Sequence, residues 1–230
     1  MVWWDPKTLK LTPPANLGLR QEAILKGGSD GQEAASVLAY REWQIERANT
    51  SAAGQTKEFD LFTATEAAGA PAGISMQVHL ETIEKRSGRA AGARFGTLVH
   101  TILRDAALDG QDVDQLSKVH GRILGATAQE IADAVQAAAS ALRHPLLERA
   151  RKSKSCKREL PILLKLDGNR VLEGIIDLAF EENGTWHVVD FKTDVEIGPN
   201  RGAYENQLRW YCFALARLNK APVEAHLLAV

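Results

Sequence analysis

The chain has 230 residues, 45% of them hydrophobic and 25% charged, a balance that excludes disordered, collagen-like and fibrous classes and allows a core without covalent staples. Lysine plus arginine number 28 against 29 acids, so net charge gives no sign of a nucleic-acid partner, and any sign must come from how the charges are distributed. No stretch approaches the run of about 18 apolar residues that spans a bilayer. The start, Met1-Val-Trp-Trp-Asp-Pro6, lacks the basic and apolar regions of a signal peptide. Two cysteines, Cys156 and Cys212, make neither a disulfide framework nor a four-cysteine zinc or iron–sulfur site. The expectation is a cytoplasmic protein with no membrane contact.

In chain order, residues 1–30 carry Pro6, Pro13, Pro14, Gly18, Gly27 and Gly28 and read as an irregular leader. A helix of mediocre periodicity follows over Gln32–Arg47, then a small, polar linker over Asn49–Gln55. Strands are expected at Glu58–Ala64 and at Ile74–Ile83, where Ile74, Met76, Val78 and Leu80 alternate with polar residues. Pro71-Ala72-Gly73 turns between them. Leu98, Val99, Ile102, Leu103 and Ala106 recur at helical spacing in Phe95–Leu108. Further helices are expected at Asp112–Leu124 and Thr127–Leu142, the second opened by a Thr127/Glu130 capping box. Strands follow at Arg158–Leu166, Arg170–Phe180 and Thr185–Lys192, then a helix at Tyr204–Leu218 and a closing strand at Val223–Val230. That order predicts an α/β fold, a mixed sheet flanked by helices.

Two turns set the register of the three middle strands. Asn183-Gly184 suits a type I′ hairpin, whose two central residues both need positive φ. Pairing then runs outward from Glu182 opposite Thr185, and it brings Asp177 opposite Asp190. Asp167-Gly168-Asn169 suits a three-residue loop, which sets Leu166 opposite Arg170 and Glu159 opposite Asp177. A two-residue closure there would turn Glu159 to the other face. Opposed Cβ atoms lie about 4.5–5.5 Å apart, and a slip of one residue in either hairpin would scatter the group. Lys192, two residues beyond Asp190, projects from the same face. Ile175 and Ala179 are expected beside Asp177 on its own face, with Ile176, Leu178 and Phe180 on the other.

Three acids and a lysine among apolar neighbours repel and are costly to desolvate. The bland alternative is an exposed sheet face laced with salt bridges. Carboxylate oxygens held this close instead suit a hard divalent cation, Mg²⁺ or Mn²⁺, with the lysine placed to stabilise a developing anion or orient a water. Arg149-Ala-Arg-Lys-Ser-Lys-Ser-Cys-Lys-Arg158 holds six basic residues and no acid, and it leads into the strand bearing Glu159. As a solvated face it would mean nothing. As a phosphate-binding flank, Arg149, Arg151, Lys152, Lys154, Lys157 and Arg158 would face DNA beside an acidic pocket.

The runs Glu159-Leu-Pro161, Glu173-Gly-Ile-Ile-Asp177-Leu178 and Val188-Val-Asp-Phe-Lys-Thr-Asp194 resemble the PD-(D/E)xK nuclease signature in its RecB-like form. Phe95-Gly-Thr-Leu-Val-His100 is similar to that family's helix with a metal-binding histidine, and Tyr204-Glu-Asn-Gln-Leu-Arg-Trp-Tyr211 to its Gln-x-x-x-Tyr helix. Residues 1–90 more loosely resemble the segment preceding the nuclease in AddA-type helicase–nucleases. The resemblance implies a restriction-endonuclease-like fold, with a nuclease domain over residues 91–230 and an extension over residues 1–90 that ends a helicase region. It implies that His100, Asp177, Asp190 and the backbone carbonyl of Phe191 bind Mg²⁺, with Mn²⁺ able to substitute. Glu159 would support a metal-bound water or a second ion, and Lys192 would act on the water or the phosphate. Gln207 and Tyr211 would position the substrate or the lysine.

No iron–sulfur cluster fits two cysteines, and the absence of G-x-x-x-x-G-K-[ST] leaves no ATP site in this chain. The expected partners are single-stranded DNA and a helicase motor, carried on the parent chain or on a partner protein. The activity would be that of an exonuclease in double-strand-break repair. A catalytically inactive, nuclease-like DNA-binding or scaffolding domain is the rival, although such a domain would be expected to lose the lysine or an acid. His79, His120, His144, His187 and His226 show no metal-ligand spacing and read as structural or surface residues, and the five tryptophans as packing residues.

Overall fold

The computed structural model describes residues 30–230 apart from 56, 70–74, 85–87 and 195–196. The expected leader, the turn at Pro71-Ala72-Gly73 and the start of the strand at Ile74 lie outside the described residues. The chain divides into two compact units, Met1–Lys57 and Glu58–Val230.

The described part of the first unit is one helix, α1 (Asp30–Gln55). It runs through the expected linker, because Asn49–Gln55 contains no proline and its two alanines favour helix over coil. Tyr40 and Trp43 stack on it, and the Arg47 guanidinium lies over the Trp43 ring.

The second unit holds β1 (Asp60–Thr63), β2 (Val78–Thr82), α2 (Ala93–Asp105), α3 (Val113–Leu124), α4 (Ala128–Leu142) and α5 (Pro145–Lys152), followed by β3 (Cys156–Lys165), β4 (Arg170–Glu182), β5 (Thr185–Lys192), α6 (Arg201–Asn219) and β6 (Val223–Ala229). The expected boundary at residue 90 is therefore corrected: β1 and β2 are strands of the same sheet as β3–β6, in the order β1-β4-β5-β6-β2 with β3 also on β4. Hydrogen-bonded ladders to β4 and β6 hold them there. The capping box forms, with the Thr127 side chain accepting from the Glu130 amide and Glu130 from that of Thr127. Helix α5 adds to the expected elements; His144 caps it and Pro145 takes its first position, where a missing N–H costs nothing. No described helix is long and apolar enough to cross a membrane.

Helices α2–α5 cover one face of the sheet around Phe95, Leu98, Ile102, Leu147, Leu178, Phe180 and Phe191. Helix α6 covers the other, around Leu172, Ile176, Ala179, Val188, Leu208, Tyr211 and Leu227. This is a restriction-endonuclease-like mixed sheet between helices. Strand β5 is central, with His187 through Phe191 all buried, and α6 is the crossover that lets β5 and β6 run parallel.

Both expected registers are present. Asn183 (φ 53°) and Gly184 (φ 81°) close the β4–β5 hairpin, and Glu182 faces Thr185 through to Leu178 facing Val189. Leu166 N donates to Arg170 O, and β3 faces β4 from Lys165/Val171 to Cys156/Phe180. The face assignment needs correction. Leu178 and Phe180 lie in the α2–α5 cluster, but Ile176 joins Leu172 and Ala179 beneath α6. Strict alternation cannot place Ile176 and Ala179 on one face, so the strand changes phase around Asp177. Opposite it, Glu159 takes φ 46°, a left-handed conformation that a non-glycine residue rarely adopts, and drops out of the ladder.

Candidate active site

One edge of β4 is occupied by β3. The other is shared by β1, along Arg170–Glu173, and β5, along Leu178–Glu182. Between them, residues 174–177 have no strand partner on that edge among the described residues, and β5 peels away as a fork. At its mouth the Asp177 carboxylate replaces the missing strand partner: Phe191 N donates to Asp177 Oδ2 at 2.9 Å. The β4–β5 ladder ends at Leu178/Val189, one position short of the expected Asp177/Asp190 pair, so the two acids flank the opening instead of pairing across it; Asp190 is 4% exposed. The sheet thus opens where the sequence places the two acids.

Each acid has a companion. His100 Nδ1 lies 3.5 Å from Asp177 Oδ2. Gly96, one turn earlier on α2, lets the helix approach β5, since a Cβ there would meet Thr193 Oγ1 at 2.9 Å. Lys192 Nζ lies 2.7 Å from Asp190 Oδ2, a buried oxygen with no hydrogen bond of regular geometry. The ammonium also sits 3.4 Å from Gln207 Oε1 and 4.6 Å from the centre of the Tyr204 ring. Gln207 Nε2 reaches both Thr65 Oγ1 and Tyr211 OH at 3.1 Å. Tyr211 packs on Gly174, where a Cβ would come within 2.6 Å of its ring. Sequence reading missed Thr65 and the ring of Tyr204. Thr65 follows β1, far away in the chain, and no local pattern marks it.

Electrostatics mark the same spot. Burial, then the Asp177 charge, push the Asp190 carboxyl up to about 6, with Lys192 and His100 opposing. Burial and Asp177 also raise Glu159. Burial pulls the His100 imidazole down, but its hydrogen bond to Asp177 and the charges of Asp177 and Asp190 carry it above its ordinary value. Tyr211 is pushed up to about 12, mainly by burial. A buried carboxylate oxygen lacking a regular hydrogen bond, beside a second carboxylate and an imidazole, fits a hard divalent cation. Beside the fork opens a cleft of about 720 Å³ lined by Thr65, Pro161, Leu163, Gly174, Ile175 and Tyr211.

The basic run divides. Arg149 is held by Glu182 Oε2, at 2.7 and 3.0 Å, and lies over Phe180. Arg158 donates to the carbonyls of Leu103 and Ala106 and so caps the C-terminus of α2. Both guanidiniums thus have partners within the fold. Arg151, Lys152, Lys154 and Lys157 are exposed. Two of the other histidines lie close to a glutamate. Ligand atoms of His187, Glu224 and His226 lie within 4.8 Å of one another, the one group of three so placed among the described residues, and none of the three belongs to the fork.

Comparison with known proteins adds the following. The family model described as the PD-(D/E)XK nuclease superfamily matches residues 75–230. An ATP-dependent helicase/nuclease from Alkaliphilus oremlandii is 29% identical over 154 residues, covering 57% of this chain and 13% of that protein. Its namesake from Heliobacterium modesticaldum is 37% identical over 81 residues, covering 30% of this chain and 6% of that protein. The chain therefore matches only a small part of the length of either relative.

Proposed function

We propose that this chain, which belongs to the PD-(D/E)XK nuclease superfamily, is a metal-dependent deoxyribonuclease that works as the nuclease part of an ATP-dependent helicase–nuclease in the cytoplasm. The observation that carries the reading is the fork, where β4 and β5 part just beyond Leu178/Val189, Asp177 accepts from Phe191 N at 2.9 Å, and Lys192 lies 2.7 Å from Asp190. Retention of both acids and the lysine speaks against an inactive scaffold. In the parent protein, named as a helicase/nuclease in its relatives, the domain would trim single-stranded DNA as an exonuclease during double-strand-break repair and recombination.

The residues divide the work. Asp177, Asp190 and His100, with the carbonyl of Phe191, would hold Mg²⁺, for which Mn²⁺ substitutes. When bound, the ion would supply Lewis-acid polarisation of the phosphate and a water of lowered pKa. Lys192 would act on the attacking water or the phosphate oxygens, with Gln207 and Tyr204 fixing its direction. Tyr211 fixes Gln207 in turn. Glu159, raised by burial, is suited to take a proton from the water. The substrate strand would enter by the cleft of Ile175 and Leu163, with Arg151, Lys152, Lys154 and Lys157 neutralising phosphates.

The test is cleavage of single-stranded DNA by the purified chain. Degradation should require Mg²⁺ or Mn²⁺, stop with EDTA and proceed without ATP. Cleavage that survives EDTA would sink the proposal.

A further inference from the structure

The opposite ends of β5 and β6 from the fork carry side chains that DNA cleavage does not use. The parallel register sets His187 beside Glu224 and Val189 beside His226. His187 Nδ1 and His226 Nε2 lie 3.1 Å apart, and Glu224 Oε2 lies 3.3 Å from the first and 3.9 Å from the second. The point equidistant from the corners of such a triangle is about 2.0 Å from each, the length of a Zn–N or Zn–O bond. The two imidazoles are buried and Glu224 is exposed, so the group opens to solvent on one side.

The surroundings orient the ligands. Glu81 Oε1, on β2, lies 2.9 Å from His226 Nδ1, which fixes the proton on that nitrogen and leaves the Nε2 lone pair facing the group. A carboxylate behind a ligating imidazole is the usual support of a histidine–metal bond. The His79 ring stacks on His226, with centres 5.3 Å apart, and Phe180 stacks on His187 at 4.8 Å. Burial first of all holds both imidazoles below their ordinary pKa, hence neutral and ligand-competent.

We propose that His187, Glu224 and His226 form a second metal site, separate from the fork, that takes a Zn²⁺-class transition ion and clasps β5 to β6. One contact opposes it. Arg149 Nη2 lies 3.1 Å from His187 Nε2 and favours a lone pair there. On ligation the His187 proton moves from Nδ1 to Nε2, where Glu182 Oε2, 3.9 Å away, faces it, while Arg149 keeps its hydrogen bonds to that oxygen. That cost selects for ions with high affinity for imidazole. Mg²⁺, which prefers six oxygens, would not occupy the site.

The experiment uses Zn²⁺ alone, titrated calorimetrically into the chelator-treated full chain carrying Asp190→Asn, a background that weakens the fork as a competing site. One Zn²⁺ should bind, and Co²⁺ in its place should give the visible absorption of a nitrogen–oxygen site. Adding Glu224→Gln, a substitution at an exposed position, should weaken Zn²⁺ at least about tenfold, and Glu81→Gln by about 10–100-fold. Mg²⁺ should not compete. Failure to bind Zn²⁺, or an isotherm unchanged by Glu224→Gln, would overturn the proposal. Neither result would touch cleavage at the fork, because that reading rests on other residues.

Discussion

Asp190→Asn should end cleavage and yet stabilise the chelator-treated protein at neutral pH. The Asp190 carboxyl is buried, and burial together with Asp177 raises its pKa from 3.8 to about 6. A carboxyl whose pKa rises on folding binds protons more tightly in the folded state, so stability falls as pH climbs through the window from 3.8 to about 6 and the full penalty remains above it. That rise corresponds to at most about 3 kcal/mol. The substitution also removes the ion pair with Lys192, at 2.7 Å, leaving an ammonium only 17% exposed with Gln207 and Tyr204 for company. The raised pKa already contains the opposing Lys192 attraction, so about 3 kcal/mol is the ceiling; a stabilisation of about 1–2 kcal/mol, or about 3–6 °C in Tm for a domain of this size, is expected. Thermal melts of both proteins in EDTA, from pH 4 to pH 8, measure it. The gain should be present at pH 7 and vanish towards pH 4. A lower Tm for Asp190→Asn at pH 7, or a gain of equal size at both ends, would refute the electrostatic argument.

Gly174→Ala should cost about 1–3 kcal/mol and slow cleavage, because the added methyl would sit 2.6 Å from the Tyr211 ring, whose hydroxyl holds Gln207; an unchanged Tm in denaturation melts would contradict the close approach. Lys192→Ala should abolish turnover while calorimetry still detects Mn²⁺ at the fork, and loss of Mn²⁺ binding would mean that the lysine shapes the metal site instead. Changing Lys152, Lys154 and Lys157 together to Ala should weaken DNA binding and flatten its salt dependence without lowering Tm. Arg158→Ala should do the reverse, lowering Tm by removing the cap of α2 and leaving the affinity of the folded fraction for DNA intact.

Much of the sheet's register is legible because turn chemistry is local. Positive φ at both Asn183 and Gly184 admits few residue pairs, and once the turn is known every pairing outward from it follows. The helices α2–α4 are legible for the same reason of local periodicity. What fails to show is whatever depends on partners distant in the chain. Six cations in ten residues look alike, although Arg158 caps a helix and Arg149 braces Glu182. The phase change at Asp177 defeats alternation, and its companion, Glu159 in a left-handed conformation, has no glycine or asparagine to announce it. His187 and His226 converge because a crossover helix makes their strands parallel neighbours, a proximity that no spacing within either strand encodes.

The phase change has a chemical use. On β5, Asp190 and Lys192 follow Val188, which packs under α6, so the ammonium meets Gln207 and Tyr204 from that helix. His100 reaches Asp177 from α2, on the other side of the sheet, where burial and neighbouring charges also raise Glu159. A continuous antiparallel ladder would keep these two groups on opposite faces with a closed backbone between them. Parting β4 from β5 one residue beyond Leu178/Val189 opens that wall, and turning β4 at Asp177 lets a carboxylate stand in the opening. Acids there repel only as strongly as their desolvation allows, since Lys192 answers Asp190 while His100 and the Phe191 amide answer Asp177. An acidic pair in a closed ladder would have no room for the imidazole and the ammonium together. The fork is therefore the feature that turns two neighbouring aspartates from a folding liability into the place where the proposed cation and phosphate would enter.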